Sequence, residues 1–257
     1  MSLGPLNILL TGAASGLGRG LALHFAGRGH RLLLADRDLD GLRETVALLG
    51  AAADRATVHA LDVTSASQVR DLFASIGDQR IDLLINDAGV QHVARLEDFP
   101  EDRWDLLLDV MLKGPFLLTQ AVLPGMRTAG FGRIVNIGSF HSLVASPFKS
   151  AYVAAKHGLL GLSKVLALES ADADVTVNTV CPAYIRTPLV DAQVAAQARA
   201  HGMSEQEVIE RIMLEPMPKK QFITAEEVAA TIEFLASHGA RNITGQTIVI
   251  DGGWTAR

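Results

Sequence analysis

Three side chains have the types and the spacing that proton exchange with an alcohol requires. Tyr152 and Lys156 are four residues apart in a segment of helical length, and Ser139 lies upstream of both. Positions i and i+4 share one face of a helix, so the ammonium can stand beside the phenol and lower its pKa. Such a phenol can act as an acid or base toward an alcohol. Because Tyr-x-x-x-Lys also occurs by chance, the prediction depends on other motifs.

A glycine-rich turn near the N-terminus predicts a site for the phosphates of a dinucleotide. The segment Thr11–Gly18 follows an apolar strand pattern and opens a helix. Its glycines allow the backbone to approach a pyrophosphate, and the helix N-terminus offers free N–H donors. A glycine cluster can also be only a turn, but the flanking strand and helix favour the binding site. We expect cofactor contacts from Gly12, Ser15, Gly16, Leu17 and Gly18.

Carboxylates at the ends of two predicted strands indicate which dinucleotide is bound. Asp36 can accept hydrogen bonds from both ribose hydroxyls and repel a 2′-phosphate, which favours NAD over NADP. Alternatively, Asp36 caps the following helix, and the neighbouring Arg37 leaves room for a phosphate. Asp62, followed by Val63, can hydrogen-bond an adenine amine or simply form a turn.

The fold that must position these residues is predicted by alternating short apolar and longer amphipathic segments. Strand patterns with few polar interruptions, separated by helices, indicate an α/β fold with one Rossmann-like, doubly wound parallel sheet and helices on both faces. Ligands of such sheets bind beyond the carboxyl ends of the strands, where all the motifs above fall. The predicted strands are Asn7–Leu10, Arg31–Ala35, Thr57–Leu61, Leu83–Ile85, Arg133–Ile137, Thr176–Val180 and Thr247–Ile250.

The chain length and pattern predict a single domain over residues 1–257, with no repeat or linker. Two segments are irregular: Gln91–Pro100 after the fourth strand and 183–221 after the sixth. The second contains a helical pattern at Ser204–Leu214 and is longer than a usual connection. We expect it to be a substrate-covering helical insertion.

Composition excludes several classes of partner. The formal charge of −5 and the absence of a basic run argue against nucleic acid, and no apolar run reaches the roughly 18–20 residues of a membrane span. The single cysteine, Cys181, cannot form an internal disulfide, and the N-terminus lacks a secretory pattern, so we expect a cytoplasmic protein. His92 has no partner pattern, and no metal site is predicted.

The motifs together resemble the classical short-chain dehydrogenase/reductase family across essentially the whole chain. The resemblance is carried by Thr11–Gly18, Asn86–Gly89, Ser139, Tyr152-x-x-x-Lys156 and Cys181–Thr187. It implies that Tyr152 is the acid/base, that Lys156 lowers its pKa and holds the nicotinamide ribose, and that Ser139 hydrogen-bonds the reacting oxygen. It also implies cofactor contacts from Asn86, Asp87, Ala88, Gly89, Pro182, Ile185 and Thr187.

Two residues depart from the family pattern. Asp87 stands where relatives usually carry asparagine, which adds a charge near the cofactor. Met111, within a predicted helix Trp104–Leu118, replaces the asparagine that completes a catalytic tetrad. A thioether cannot hold a relay water as an amide does, although methionine on an apolar helical face is usually core filler. We expect lowered rather than absent activity.

The residues around Ser139 and Tyr152 indicate an anionic substrate. A lysine, Lys149, and a histidine, His141, border the predicted reacting centre, and a cation there would pair with a carboxylate. These segments resemble those of the bacterial D-3-hydroxybutyrate dehydrogenases within the family. That likeness implies a carboxylate grip by Gln91, His141, Lys149 and Gln193, with Tyr184 and Trp254 as walls. Taken singly, each of these residues has an equally ordinary structural or solvent-exposed role.

The resulting hypothesis is NAD-dependent, reversible oxidation of (R)-3-hydroxybutyrate, a small hydroxy acid, to acetoacetate. One alternative is another family enzyme, such as a 3-oxoacyl reductase or a sugar-alcohol dehydrogenase. A second is a catalytically weak dinucleotide-binding sensor or scaffold, suggested by Met111. The family resemblance also implies a homotetramer, and the apolar stretches Phe116–Leu123 and Leu159–Leu168 can face either neighbouring subunits or the core.

Overall fold

The computed structural model of the protein describes residues 4–256. Seven parallel strands form one sheet in the order β3-β2-β1-β4-β5-β6-β7, which confirms the predicted doubly wound fold. Each predicted strand is present, with ends that differ by one or two residues. The strands are β1 Asn7–Thr11, β2 Arg31–Asp36, β3 Ala56–Ala60, β4 Leu83–Asn86, β5 Gly132–Ile137, β6 Val175–Pro182 and β7 Thr247–Ile250.

Helices cover both faces of this sheet. Alternate residues of a strand point to opposite faces, so Ile8 and Leu10 of β1 belong to one apolar core and Leu9 to the other. The first core lies under α1 and α9, and the second under α3 to α6. The helices are α1 Gly16–Gly27, α2 Leu39–Leu48, α3 Ala66–Ile76, α4 Glu101–Leu108, α5 Gly114–Ala129, α6 Ser150–Glu169, α7 Pro188–His201, α8 Glu205–Val208 and α9 Ala225–Ala236.

The topology fixes where a ligand can bind. Strand β1 pairs with β2 on one side and with β4 on the other, so the order of strands reverses at β1. The connections leaving the carboxyl ends of β1 and β4 therefore diverge to opposite faces of the sheet and leave a crevice between them.

The predicted helix Trp104–Leu118 is part of a longer helical segment, Glu101–Ala129. It contains one π-helical turn, Asp109–Lys113, between α4 and α5. Among residues 4–256, this segment alone has the length and composition to cross a membrane, and 44% of its most apolar window is buried within the fold. Leu107, Val110 and Leu118 lie in the second apolar core, so packing against the sheet accounts for much of its apolar character.

The segment between β6 and α9 contains the two helices α7 and α8 and a π-helical turn, Ile209–Met213. The predicted helix Ser204–Leu214 corresponds to α8 and this turn. Its start is fixed by a capping box, in which the Ser204 hydroxyl accepts from the Glu207 amide and the Glu207 carboxylate accepts from the Ser204 amide. A small apolar cluster separate from the two sheet cores holds the segment together: Val190, Val194, Val208 and Met213.

Candidate active site

A cleft of 450 Å³ opens over the carboxyl ends of the strands, at the predicted crevice. The turn after β1 forms one wall, the ends of β4 and β5 form the floor, and the start of the α7 segment forms the opposite wall. Every motif of the sequence analysis contributes at least one residue to this lining, so the fold brings them to one place.

The glycine turn packs tightly on the end of β4. Gly12 has a φ of 71°, and a Cβ at this position would lie 2.9 Å from the backbone nitrogen of Ala88. Gly12, Ser15, Gly16 and Leu17 line the cleft as predicted. Gly18 does not line it: a Cβ there would collide with the Gly12 carbonyl, so the missing side chain serves close packing of the turn.

The carboxylates after β2 and β3 line the far end of the cleft. Asp36 accepts hydrogen bonds from the amides of Ala14, at 3.2 Å, and Asp38, at 3.0 Å. The cap of α2 is Asp38 itself, which accepts from the Gly41 amide, so Asp36 is not that cap. Its position beside the glycine turn leaves it facing the cleft next to Arg37.

Asp62 and Val63 also line this end of the cleft. The carboxylate of Asp62 accepts from both the amide and the hydroxyl of Thr64, at 2.9 and 2.8 Å. The two interpretations of Asp62 are therefore compatible, because a residue that shapes the turn also faces the cleft.

The four residues after β4 divide into two groups. Asp87, Ala88 and Gly89 line the cleft, whereas Asn86 is buried and does not line it; its cofactor contact stays a prediction. The Asn86 amide donates to Asn136 at 2.7 Å, and Asn136 in turn donates to Ser163 of α6 at 2.9 Å. Asn86 therefore ties β4 through β5 to the helix that carries Tyr152 and Lys156.

Ser139, Tyr152 and Lys156 meet at the floor of the cleft. Tyr152 and Lys156 come from the first two turns of α6, and Ser139 follows β5. The Ser139 hydroxyl faces the Tyr152 phenol closely enough to lower its pKa. The Lys156 ammonium donates to the carbonyl of Ile137 at 2.6 Å and lies 5.8 Å from the centre of the Tyr152 ring.

Burial, rather than Lys156, dominates the titration of these groups. Desolvation raises the pKa of Tyr152 to about 12, although the Ser139 hydroxyl opposes this. Lys156 is not among the causes of this shift, so the lowering of the Tyr152 pKa by Lys156 stays a prediction. Desolvation also lowers the pKa of Lys156 to about 8, against the attraction of Asp87.

Asp87 is the second buried charge of the floor. Desolvation raises the pKa of its carboxyl to about 8, while Lys156 and a hydrogen bond from the Gly18 amide act in the opposite direction. Met111 lines the cleft nearby from the π-helical turn, with its sulfur 3.9 Å from the position that a Cβ on Gly89 would take. The floor is apolar at Met111 and carries an ionisable group at Asp87.

A third group of residues forms what we call the substrate end, next to Ser139 and Tyr152. All of its members were predicted from sequence, and they line the cleft: Gln91, His141, Lys149, Tyr184 and Gln193. Trp254, predicted with them, is not part of the lining. Its ring lies 4.4 Å from that of Phe140, and Phe140 lines the cleft in its place.

Lys149 supplies the positive charge of the substrate end. It is 7% exposed, and its ammonium lies 5.6 Å from the centre of the Tyr184 ring. Apart from the side chains at 189, 192, 196, 200 and 201, which the structure does not describe, no group of residues 4–256 forms a hydrogen bond with this ammonium. Desolvation lowers its pKa. A buried cation without a hydrogen-bonding partner is suited to an anionic ligand.

His141 contributes polarity without charge. Desolvation, with Lys149 as a further cause, lowers the pKa of His141 to about 3. One ring nitrogen shares a hydrogen bond of 2.7 Å with the Ser146 hydroxyl. Neither Ser146 nor Phe140 was singled out from sequence, and only their places beside His141 in the chain could have drawn attention to them.

The remaining predicted cofactor contacts follow β6. Pro182, Ile185 and Thr187 line the cleft, and the Thr187 hydroxyl caps α7 by accepting from the Val190 amide. Cys181 is buried and does not line the cleft. Among the side chains that the structure describes, which exclude that of His201, no group of three or more His, Cys, Asp or Glu could hold a metal ion.

Comparison with known proteins identifies the family. Residues 12–255 match the family model described as enoyl-(acyl carrier protein) reductase. The D-beta-hydroxybutyrate dehydrogenase of Rhizobium meliloti is 44% identical, covering 97% of this chain and 98% of the relative. The chain belongs to the short-chain dehydrogenase/reductase family.

Two further relatives show the range of this short-chain dehydrogenase/reductase group. The D-beta-hydroxybutyrate dehydrogenase of Cupriavidus necator is 41% identical over 97% of both chains. A crystal structure from Agrobacterium tumefaciens, described as a 2-deoxy-D-gluconate 3-dehydrogenase with bound NADP, has a TM-score of 0.86 and 33% identity, covering 100% of this chain and 98% of that one.

The cleft fits the nicotinamide dinucleotide that this oxidoreductase family uses. The Gly12–Gly16 turn lines the cleft, the start of α1 offers amide donors, and Asp36 lines the same cleft, where it could hold a ribose. When bound, the dinucleotide supplies the hydride acceptor or donor.

Proposed function

We propose that the protein oxidises (R)-3-hydroxybutyrate to acetoacetate, reversibly and with NAD. The observation that carries the proposal is the buried ammonium of Lys149 beside Ser139 and Tyr152. It provides a positive charge in the cleft that Ser139 and Tyr152 also line, as a small hydroxy acid requires. The two hydroxybutyrate dehydrogenases among the relatives support the same substrate.

The proposed roles follow from the contacts. Lys149 pairs with the carboxylate, while Gln91, Gln193 and the neutral His141 offer hydrogen bonds to it. Ser139, which faces the Tyr152 phenol, holds the substrate oxygen beside it. In oxidation, Tyr152 in its phenolate form would take the hydroxyl proton, and the bound dinucleotide would supply the acceptor for the hydride that C3 loses.

NAD is the proposed cofactor because Asp36 faces the cleft as a carboxylate that would repel a 2′-phosphate. Arg37 beside it and the NADP-bound structural relative favour a test of both nucleotides. The nucleotide preference is therefore measured together with the substrate.

Met111 favours a second candidate function, a weakly catalytic dinucleotide-binding protein. Its thioether is buried in the floor of the cleft and cannot replace an amide in a proton relay. Tight NADH binding without turnover of any small hydroxy acid would support this second candidate.

The test is NADH formation by the purified protein with NAD⁺ and (R)-3-hydroxybutyrate. The (S)-enantiomer and NADP⁺ serve as controls in the same assay. Turnover confined to the (R)-acid with NAD⁺ is the expected result. Equal rates with a neutral secondary alcohol, or strict use of NADP⁺, would contradict the proposal.

We also propose a homotetramer located in the cytoplasm. Within the two apolar stretches named above, Leu118 and Leu159 are buried, whereas Phe116 and Leu168 are 43% and 79% exposed. The exposed members support an interface between subunits. Light scattering coupled to size-exclusion chromatography measures the mass directly, and a monomeric mass would exclude the tetramer.

A further inference from the structure

Phe148 combines a strained backbone conformation with an exposed aromatic side chain. Its φ is 68°, in the left-handed region that residues with bulky side chains rarely adopt. The residue is also 48% exposed to solvent. It directly precedes Lys149 and helix α6. Strained backbone of this kind persists only where surrounding contacts hold it, and it is concentrated at functional sites.

The contacts that hold Phe148 come from the loop after β4. The Ala94 amide donates to the Phe148 carbonyl at 3.1 Å. The guanidinium of Arg95 lies 5.6 Å from the centre of the Phe148 ring. The same loop begins with Gln91, so residues 91–95 are joined to the segment that carries Lys149.

We propose that Phe148 is a positioning residue, whose left-handed turn, held by the 91–95 loop, directs the Lys149 ammonium into the cleft and fixes it relative to Gln91. The chain reverses at Phe148, and the next residue is the buried Lys149. Because no hydrogen bond from the groups that the structure describes restrains the Lys149 ammonium, its direction depends on the backbone that precedes it. The part concerning substrate rests on the proposed function, since it requires a carboxylate at Lys149.

The turn conformation and the ring can be separated by two substitutions. Phe148→Ala removes the ring and leaves the cost of a positive φ, so the turn should relax and Lys149 should lose its direction. Phe148→Gly also removes the ring but adopts the turn without strain. The alanine variant should therefore be more impaired than the glycine variant, although glycine is the larger change in flexibility.

Steady-state kinetics test the substrate part. Phe148→Ala should raise the KM for (R)-3-hydroxybutyrate about tenfold and Phe148→Gly about threefold, with kcat and the KM for NAD⁺ nearly unchanged. Leu143→Ala is the matched control, because Leu143 is an apolar residue of the same loop that is 42% exposed and makes no contact that the proposal uses. The proposal would be overturned if the two Phe148 variants had equal KM values for (R)-3-hydroxybutyrate, or if neither KM were above that of wild type.

Hydrogen exchange of a peptide spanning residues 91–96 tests the contact between the 91–95 loop and Phe148 without measuring catalysis. The Ala94 amide should exchange about tenfold faster in Phe148→Ala and at nearly the wild-type rate in Phe148→Gly. Unchanged exchange in both variants would show that Phe148 does not hold the 91–95 loop. Absence of wild-type turnover with (R)-3-hydroxybutyrate would instead reject the proposed function, and the exchange comparison would still decide whether Phe148 joins the two segments.

Discussion

Buried charged side chains have different surroundings at the amino and carboxyl ends of the parallel strands, which we call the amino edge and the carboxyl edge of the sheet. At the amino edge, Asp82 before β4 pairs with Arg80 at 2.5 Å, and its carboxylate also accepts from the Asn7 amide at 2.8 Å. Arg133 at the start of β5 is fully buried but pairs with Asp174 at 3.0 Å. Each of these charges has an opposite charge in direct contact.

At the carboxyl edge, the charges face the cleft and their pKa values are displaced by burial. The Lys149 ammonium lies over the face of Tyr184, and burial shifts the pKa values of both Asp87 and Lys156 toward their neutral forms. Perturbed titration in a cleft marks groups retained for chemistry rather than for stability. The comparison teaches that loss of a charge should lower stability at the amino edge and lower activity at the carboxyl edge.

The largest expected effect is on catalysis. Tyr152→Phe removes only the hydroxyl, and it should lower kcat by about 10²–10⁴-fold because the variant loses the proposed acid/base. Thermal stability should be equal to or slightly above wild type. Fluorescence titration with NADH is the control, and a kcat within tenfold of wild type would show that another group exchanges the proton.

Arg133→Met tests the opposite edge. It leaves Asp174 without its cation and removes the bonds to the carbonyls of Gly132 and Asp174, so the free energy of unfolding should fall by about 3–5 kcal/mol. Urea denaturation measures this loss. The KM for both substrates should stay near wild type in the folded fraction. A large change in KM with unchanged stability would show that Arg133 serves activity rather than stability.

Lys149→Met is the matched change at the carboxyl edge. Removing a buried cation that lacks a partner should leave stability unchanged or raise it by about 1 kcal/mol. The KM for the hydroxy acid should rise about 10- to 100-fold, the scale of one charged hydrogen bond. Denaturation and initial-rate kinetics on the same preparation measure the free energy of unfolding and the KM. Strong destabilisation with an unaltered KM would show that Lys149 serves stability rather than substrate binding.

Asp87→Asn has the smallest expected effect and depends on pH. The folded protein keeps the Asp87 proton up to about pH 8, whereas an ordinary aspartate loses it near 3.8. The Asp87 carboxyl therefore lowers stability as pH rises through this window, because the unfolded chain releases the proton first. Asparagine has no such proton, so the variant should be more stable than wild type by about 1–3 kcal/mol at pH 8.

The advantage of Asp87→Asn should disappear near pH 4 and below, where the unfolded chain of the wild type also binds the proton. Thermal unfolding measured from pH 4 to pH 8 shows the trend, with Asp82→Asn as the paired carboxylate at the amino edge. An Asp87→Asn curve parallel to that of wild type would show that Asp87 titrates normally.

Sequence patterns predicted the sheet because apolar strands and the glycine turn are local signals. The same holds for Tyr152 and Lys156, whose side-chain direction follows from helical spacing. The direction of Asn86 and Trp254 was not predictable, since the first depends on Asn136 of β5 and the second on the position of Phe140. The raised pKa of Tyr152 also escaped prediction, because desolvation is a property of the packed cleft and not of neighbouring residues in the chain.

The most direct test of the account compares (R)-3-hydroxybutyrate with (R)-butan-2-ol, which lacks the carboxylate, in wild type and in Lys149→Met. The kcat/KM of wild type should favour the acid by at least about 10²-fold, and that preference should fall to within about tenfold in the variant. An unchanged preference in Lys149→Met would show that the buried ammonium does not select the substrate, and the proposed hydroxy-acid site would be wrong.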